Sequence, residues 1–265
     1  MHKCGKIILR LIIPAVLFST WMLFCSVKAD KLSYVISPAQ IFSGIIEHRD
    51  VIITNSLISL KRLIIGVLLG GACGCAVGFF MERIYVIRIL LFPTIKFFGA
   101  LPFIAIIPLF LIFFGLNEHF IYAIVAMMSF TIVAPQVFSA TYNMPSQYID
   151  IAKMHQKSML SIIMKIHLPA ALPAIIRSLK LSFIFGWLAI LLAEQTVGKV
   201  DKGGLGIFIM NARSYGNFYM MFTGVASLII LAFAIDLILS RLERKVSSWE
   251  KSIGQNELQK TRGIL

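Results

Sequence analysis

Cys73 and Cys75 form a Cys-x-Cys beside Gly71 and Gly74. A thiolate metal or redox centre would need further ligands nearby, and none follow. Small residues packing a helix interface is the stronger reading. The five histidines (His2, His48, His119, His155 and His167) include no pair at the i, i+4 spacing of a helical metal site. No Ser-His-Asp order or paired carboxylates support hydrolysis. No G-x-x-x-x-G-K-[ST] loop is present to cradle a nucleotide. The sequence therefore predicts no catalytic residue, no metal and no cofactor of its own.

What remains is a small set of ionisable residues in apolar surroundings, where charge is costly and a role is the default hypothesis. Glu194 is followed by Gly203, Gly204 and Gly206. It is expected to be solvated at an interface, to hydrogen-bond that glycine loop, or to form part of an outer gate. Asp236 is expected to pair with Ser240 or Arg241. Lys96 can snorkel, and Arg177 and Lys180 read as topology anchors.

The composition explains why these residues stand out. Of 265 residues, 58% are hydrophobic and 14% are charged, against about 25% charged in an average soluble domain. Mean hydropathy is +0.88. A soluble domain of this length cannot hide that much apolar surface, so the chain is an integral membrane protein. The net charge of +13 then reads as basic flanks of membrane helices rather than as a nucleic-acid surface.

Six apolar stretches approach the length of a bilayer crossing: 7–25, 57–80, 97–114 with 87–95 leading into it, 120–140, 172–193 and 219–239. The expected fold is an all-α membrane protein of six transmembrane helices. The first stretch has a basic start and a loose cleavage-like Val27-Lys28-Ala29, but its length and Lys28 favour a retained helix over a signal peptide. With the N-terminus inside, Lys and Arg divide 17 inside to 8 outside, which favours both termini in the cytoplasm. The outside group includes Lys61 and Arg62. Three connections are long: 26–56 and 195–218 outside, and 142–171 inside.

The inside connection carries the strongest pattern. Asp150, Lys153, His155, Gln156 and Lys157 cluster at its start. Met159, Leu160, Ile162, Ile163 and Ile166 follow as an apolar stripe at helical spacing, and Pro169 and Pro173 close it. Such a stripe suits a short helix lying at the cytoplasmic face or docked in a partner's groove.

That stretch resembles the coupling loop of the permease subunits of bacterial ABC importers. The family motif runs Glu-Ala-Ala, three residues, Gly, nine residues, Ile, one residue, Leu-Pro. Here Asp150-Ile151-Ala152, Gln156 and Ile166-His167-Leu168-Pro169 keep its spacing. Gln156 departs from the glycine, which allows a sharp turn more cheaply. The run from Leu168 to Ile175, Glu194 with Gly204-Leu205-Gly206, Pro93 to Gly115 with Pro102 and Pro108, and the basic stretch from Arg241 to Trp249 are also similar to that family. The resemblance covers about 57–249 and points to permeases for sulfonates, taurine, nitrate and bicarbonate, a subfamily that includes carriers of pyrimidine vitamin precursors.

The resemblance implies a transport subunit without an ATPase of its own. It implies a second permease copy, a cytoplasmic ATP-binding subunit, an external substrate-binding protein, and a lipid setting in the bacterial inner membrane. The chain divides as 1–56 (first helix and external loop), 57–249 (permease domain) and 250–265 (cytoplasmic tail). A short cytoplasmic coupling helix lies between helices four and five. Asp150, Ile151, Ala152, Gln156, Ile166, Leu168 and Pro169 are the expected coupling residues. Glu194, Pro102 and Pro108 are the candidates for a gate or pathway. The prolines free backbone groups, tolerated where they line a cavity. Ser129 and Thr131 are possible hydroxyls along the route of a small oxyanion. The alternative is a self-sufficient secondary transporter or channel, which needs intramembrane charges for ion coupling. A membrane enzyme would need a catalytic cluster, and the sequence offers none.

Overall fold

A computed structural model describes residues 12, 13, 15–17, 19–23, 25, 36–144, 167–198 and 203–262, with side chains described to 246. The described residues of the first apolar stretch are helical. Eight further helices follow: α1 (Pro38–Glu47), α2 (Arg49–Arg83), α3 (Tyr85–Ala100), α4 (Phe103–Phe114), α5 (Glu118–Tyr142), α6 (Leu168–Val197), α7 (Leu205–Ser214) and α8 (Phe218–Arg262). No strand occurs among the described residues. Asp150, Ile151, Ala152, Gln156 and Ile166 lie outside them.

Four helices are long and apolar enough to cross a membrane: α2, α5, α6 and the Phe218–Val246 part of α8. Each contains one predicted stretch. The predicted crossing at 97–114 needs correction, because the chain bends by 110° between α3 and α4. Pro102 causes the break. The residue before a proline is pushed out of helical geometry, and Leu101 is extended at φ −69°, ψ 139°. Counted as one broken span, α3 and α4 raise the number of crossings to five. The connection expected at 26–56 holds α1, and helix begins again at Arg49, before its predicted end. Ser37 and Gln40 cap α1 reciprocally.

Glycines set the central packing. A Cβ on Gly66 would stand 2.6 Å from Val125 Cβ, one on Gly74 3.0 Å from Val133 Cβ, and one on Gly78 2.8 Å from Val137 Cβ. Position numbers rise together along both helices, so α2 and α5 run parallel. Gly70 approaches Ala126 and Ser129 on the same line. Glycine every fourth residue gives α2 one flat face, which lets backbones approach closely. Ser129 Oγ bonds the Val67 carbonyl across this seam at 3.0 Å, and Thr131 Oγ1 bonds its own helix at Met128. Each hydroxyl thus donates its proton to a backbone carbonyl in this arrangement. Cys73 is exposed and Cys75 partly buried, so Gly70, Gly71 and Gly74 make the interface expected of the Cys-x-Cys region.

α6 packs antiparallel to this pair, with Leu179 against Gly71 and Leu63 against Gly186. Parallel neighbours need a return crossing between them. The broken α3–α4 unit supplies it: Ile95 packs with Met81 and Phe138 at one end, and Ile107 packs with Phe120 and Ile121 at the other. The break itself lies beside the middle of α5, where Gly99 faces Thr131.

Candidate functional site

The site is built on α2 at Arg62, which is 1% exposed. An uncompensated guanidinium there would be strongly destabilising, and the fold brings two carboxylates to it. Nη1 donates to Glu194 Oε1 on α6 at 2.7 Å. Nε donates to Glu118 Oε2 on α5 at 3.1 Å, and Nη2 donates to Glu118 Oε1. Nη1 also donates to the Gly203 carbonyl at 2.7 Å. The fork geometry of arginine makes this two-acid grip possible where lysine could not.

Glu194 is fully buried and saturated. Ser59 Oγ lies 2.9 Å from both of its oxygens, and the Gly206 amide donates to Oε2 at 2.8 Å. Ser59 Oγ in turn accepts the Leu205 amide at 2.8 Å. Asn55 Oδ1 accepts the Gly204 amide at 2.7 Å. The first amides of α7 have no helical partner of their own; here a serine, a carboxylate and a neighbouring asparagine supply acceptors, and a negative charge at that end is favoured. Gly204 has φ +133°, and a Cβ on it would lie 2.5 Å from Glu194 Oε1 and 2.6 Å from Arg62 Nη1. Only glycine fits that position. One cation and two carboxylates thus fasten α2, α5, α6 and the start of α7 together.

Glu118 forms the wetter edge of this cluster, its side chain 18% exposed. It borders a cavity of about 260 Å³ lined also by Ile58, Lys61, Arg62 and Tyr122. Among the described residues no group of three His, Cys, Asp or Glu is placed to hold a metal ion.

Of the predicted residues, Glu194 makes the contact with the glycine loop, and burial excludes solvation at an interface. Its partners Ser59 and Arg62, and Glu118, the second acid on Arg62, were not predicted. Arg62, counted only among the outside basic residues, is the centre of the cluster. The signal was available: a basic residue inside an apolar crossing requires a partner. Pro102 lies at the helix break, while Pro108 lies inside α4. Leu168 and Pro169 open α6, where a proline is tolerated because its missing N–H would have been unpaired.

A second set of charges joins α6 to α8. Lys180 Nζ is 2.8 Å from Glu243 Oε2 and 3.9 Å from Asp236 Oδ1. Asp236 also accepts a weak bond from Ser240 at 3.4 Å. Lys180 therefore pairs with acids in addition to any topological role. Lys96 Nζ sits 5.2 Å from the centre of the Phe92 ring.

At the opposite end of α2 from the cluster, Arg83 Nη2 lies 3.0 Å from His167 Nε2. His167 is fully buried at the residue before α6.

Comparison with known proteins follows the same stretch of chain. Residues 64–248 match the profile of a family described as binding-protein-dependent transport system inner membrane component. The permease protein SsuC of Bacillus subtilis, named for aliphatic sulfonates transport, is 26% identical over 247 residues, covering 91% of this chain and 87% of the relative. The nitrate import permease protein NrtB of Leptolyngbya laminosa is 26% identical over 260 residues, covering 90% of each. In three dimensions the chain is similar to the inward-facing MetNI methionine ABC transporter, at a TM-score of 0.59 and 21% identity over 74% of this chain and 95% of that one. That likeness supports the fold.

Proposed function

The chain belongs to the family of binding-protein-dependent transport system inner membrane components, and from that premise we propose that it forms the translocation path of an ATP-driven importer and is driven by a separate ATPase. The family match over 64–248 carries this reading, because it spans the 148–169 segment and, of the cluster, Glu118, Glu194 and the Gly203–Gly206 loop. The solute is a small anion such as a sulfonate, nitrate or bicarbonate, or a pyrimidine vitamin precursor. The names of the relatives, sulfonates and nitrate among them, support the anion.

In this reading six helices cross the membrane, both termini are cytoplasmic, and the permease domain occupies 57–249. Two copies form the path, an external binding protein delivers the solute, and residues 148–169 dock into the ATPase. Asp150, Ile151, Ala152 and Gln156 make the docking contact, and Ile166, Leu168 and Pro169 set its exit angle into α6. ATP binding biases a two-state arrangement of the helices. The break at Pro102, beside the middle of α5, supports a path there, since irregular backbone at membrane depth is tolerated where it lines a cavity. Glu194 acts on the outer side by holding α7 in place. A secondary transporter is disfavoured because both candidate coupling acids are engaged, Glu194 by Arg62 and Asp236 by Ser240 and Lys180.

The test is co-purification from membranes with a co-expressed ATP-binding subunit from the same organism, with ATP hydrolysis measured for the native chain and for Asp150→Arg and Ala152→Arg. Stable association, with hydrolysis altered by either substitution, is expected. A chain that binds no ATPase and still moves solute would overturn the reading.

A further inference from the structure

His167 stands where the 148–169 segment enters α6, and among the described residues one bond holds its ring. Guanidinium nitrogens only donate, so at 3.0 Å from Arg83 Nη2 the ring nitrogen Nε2 must accept. That puts the ring proton on Nδ1 and leaves the imidazole neutral. Nδ1 itself is buried without a hydrogen-bond partner among the described residues. A second proton, on Nε2, would set donor against donor and cation against cation.

Among the described residues, the charged groups that act on the ring are both on α2. Arg83 opposes protonation and Glu82 favours it, while Glu82 is also engaged with Arg83, Oε2 to Nε at 3.0 Å. Phe130 to Tyr142 of α5 contains no charged residue, and Tyr142 is its only titratable one. The first charge on α6 is Arg177, ten residues on, and the inner acids of α8, Asp236 and Glu243, face Lys180. Burial, the largest influence, pushes the imidazole below the ordinary histidine range.

We propose that His167 is a positioning residue for coupling: its neutral ring ties the start of α6 to the end of α2, and protonation unties them. The inference rests on the coupling role proposed for 148–169. α2 is one continuous helix from Arg83 back to Arg62. The tie therefore passes a displacement of the segment to α6 directly and to the Arg62 cluster through α2. Without it, the segment pulls on α6 alone.

The experiment uses the assembled permease–ATPase complex in lipid vesicles. The readout is its rate of ATP hydrolysis divided by that of the isolated ATPase at the same pH, from pH 8 to 5.5. For the native chain this ratio should differ from one at pH 8 and move toward one in acid. In His167→Gln the amide oxygen accepts from Arg83 without titrating, so the ratio should hold its pH 8 value throughout. In His167→Leu it should lie near one at every pH. A Gln variant that follows the native acid response, or a correctly assembled Leu variant with the native ratio, overturns the proposal and leaves the coupling reading intact. A native ratio of one at all pH values, or failure to assemble, overturns the coupling reading and the proposal with it. Should the Leu variant fail to fold, the Gln profile alone decides.

Discussion

Arg62 and Glu194 meet at 2.7 Å between α2 and α6, with both side chains 1% exposed. Replacing such a pair by well-packed apolar residues can be neutral, but removing one member strands the other. Arg62→Met leaves two buried or half-buried acids facing each other, and Glu194→Gln removes one of them. The expected loss is about 3–5 kcal/mol for Arg62→Met and less for Glu194→Gln, where Glu118 still neutralises the arginine. Thermal unfolding in detergent, followed by tryptophan fluorescence, measures both. An Arg62→Met variant as stable as the native chain would remove the cluster's structural importance.

Lys180 and Glu243 are the same distance class but a different case. Their side chains are 22% and 28% exposed, so water screens them and holding two long side chains offsets the attraction. Lys180→Met should cost at most about 1 kcal/mol. The same melting assay separates the two pairs, and a loss as large as that of Arg62→Met would contradict the contrast.

These two pairs also show what the sequence makes legible. Four apolar stretches fall inside observed helices because bilayer thickness sets the length of an apolar run, a local property. The 97–114 stretch is just as apolar, yet it bends, since hydropathy carries no direction. Pro102 was the residue to weigh, through its effect on Leu101. Glu194 and the glycine loop were legible as neighbours twelve residues apart. That Arg62 needs a partner was legible, but the partners were not, because its acids lie 56 and 132 positions away and no local pattern pairs them. The coupling segment was read from motif spacing, which depends on a resemblance rather than on packing.

Gly70 gives a prediction about helix approach. A Cβ there would run into the Ala126 backbone carbonyl, and backbone cannot swing aside as a side-chain end can. Gly70→Val should force α2 and α5 apart, break the Ser129–Val67 bond and abolish accumulation of folded protein in membranes. Gly99→Ala is the control, its nearest neighbour being Thr131 Cβ at 3.6 Å, an ordinary contact. Equal yields of the two variants, measured by size-exclusion of detergent extracts, would contradict the close seam.

Acid should weaken the fold through His167. Its folded-state affinity for protons is below the ordinary one, so as pH falls the unfolded chain takes up the proton first, near pH 6.5. The stabilisation is complete above that value and is lost progressively as pH falls toward the lower folded value, below which the difference stops growing. Melting temperature should therefore fall more steeply between pH 7 and 5.5 in the native chain than in His167→Gln. Superimposable pH profiles would show that the ring does not resist protonation.

Gly204 and Gly216 separate backbone strain from steric conflict. Both have positive φ, +133° and +68°. Gly216 has open space where a Cβ would go, and its left-handed geometry suits asparagine, so Gly216→Asn should cost about 1 kcal/mol or less. Gly204 lies in a region that is essentially glycine-only, and its Cβ would press on both Glu194 Oε1 and Arg62 Nη1. Gly204→Ala must therefore shift α7 or open the ion pair, and either change unfastens the four elements that meet there. The expected result is a loss comparable to that of Arg62→Met, with little further loss when the two substitutions are combined, since both act on one contact. Additive losses in that double-mutant cycle would place the strain of Gly204 in the turn alone and not in the cluster.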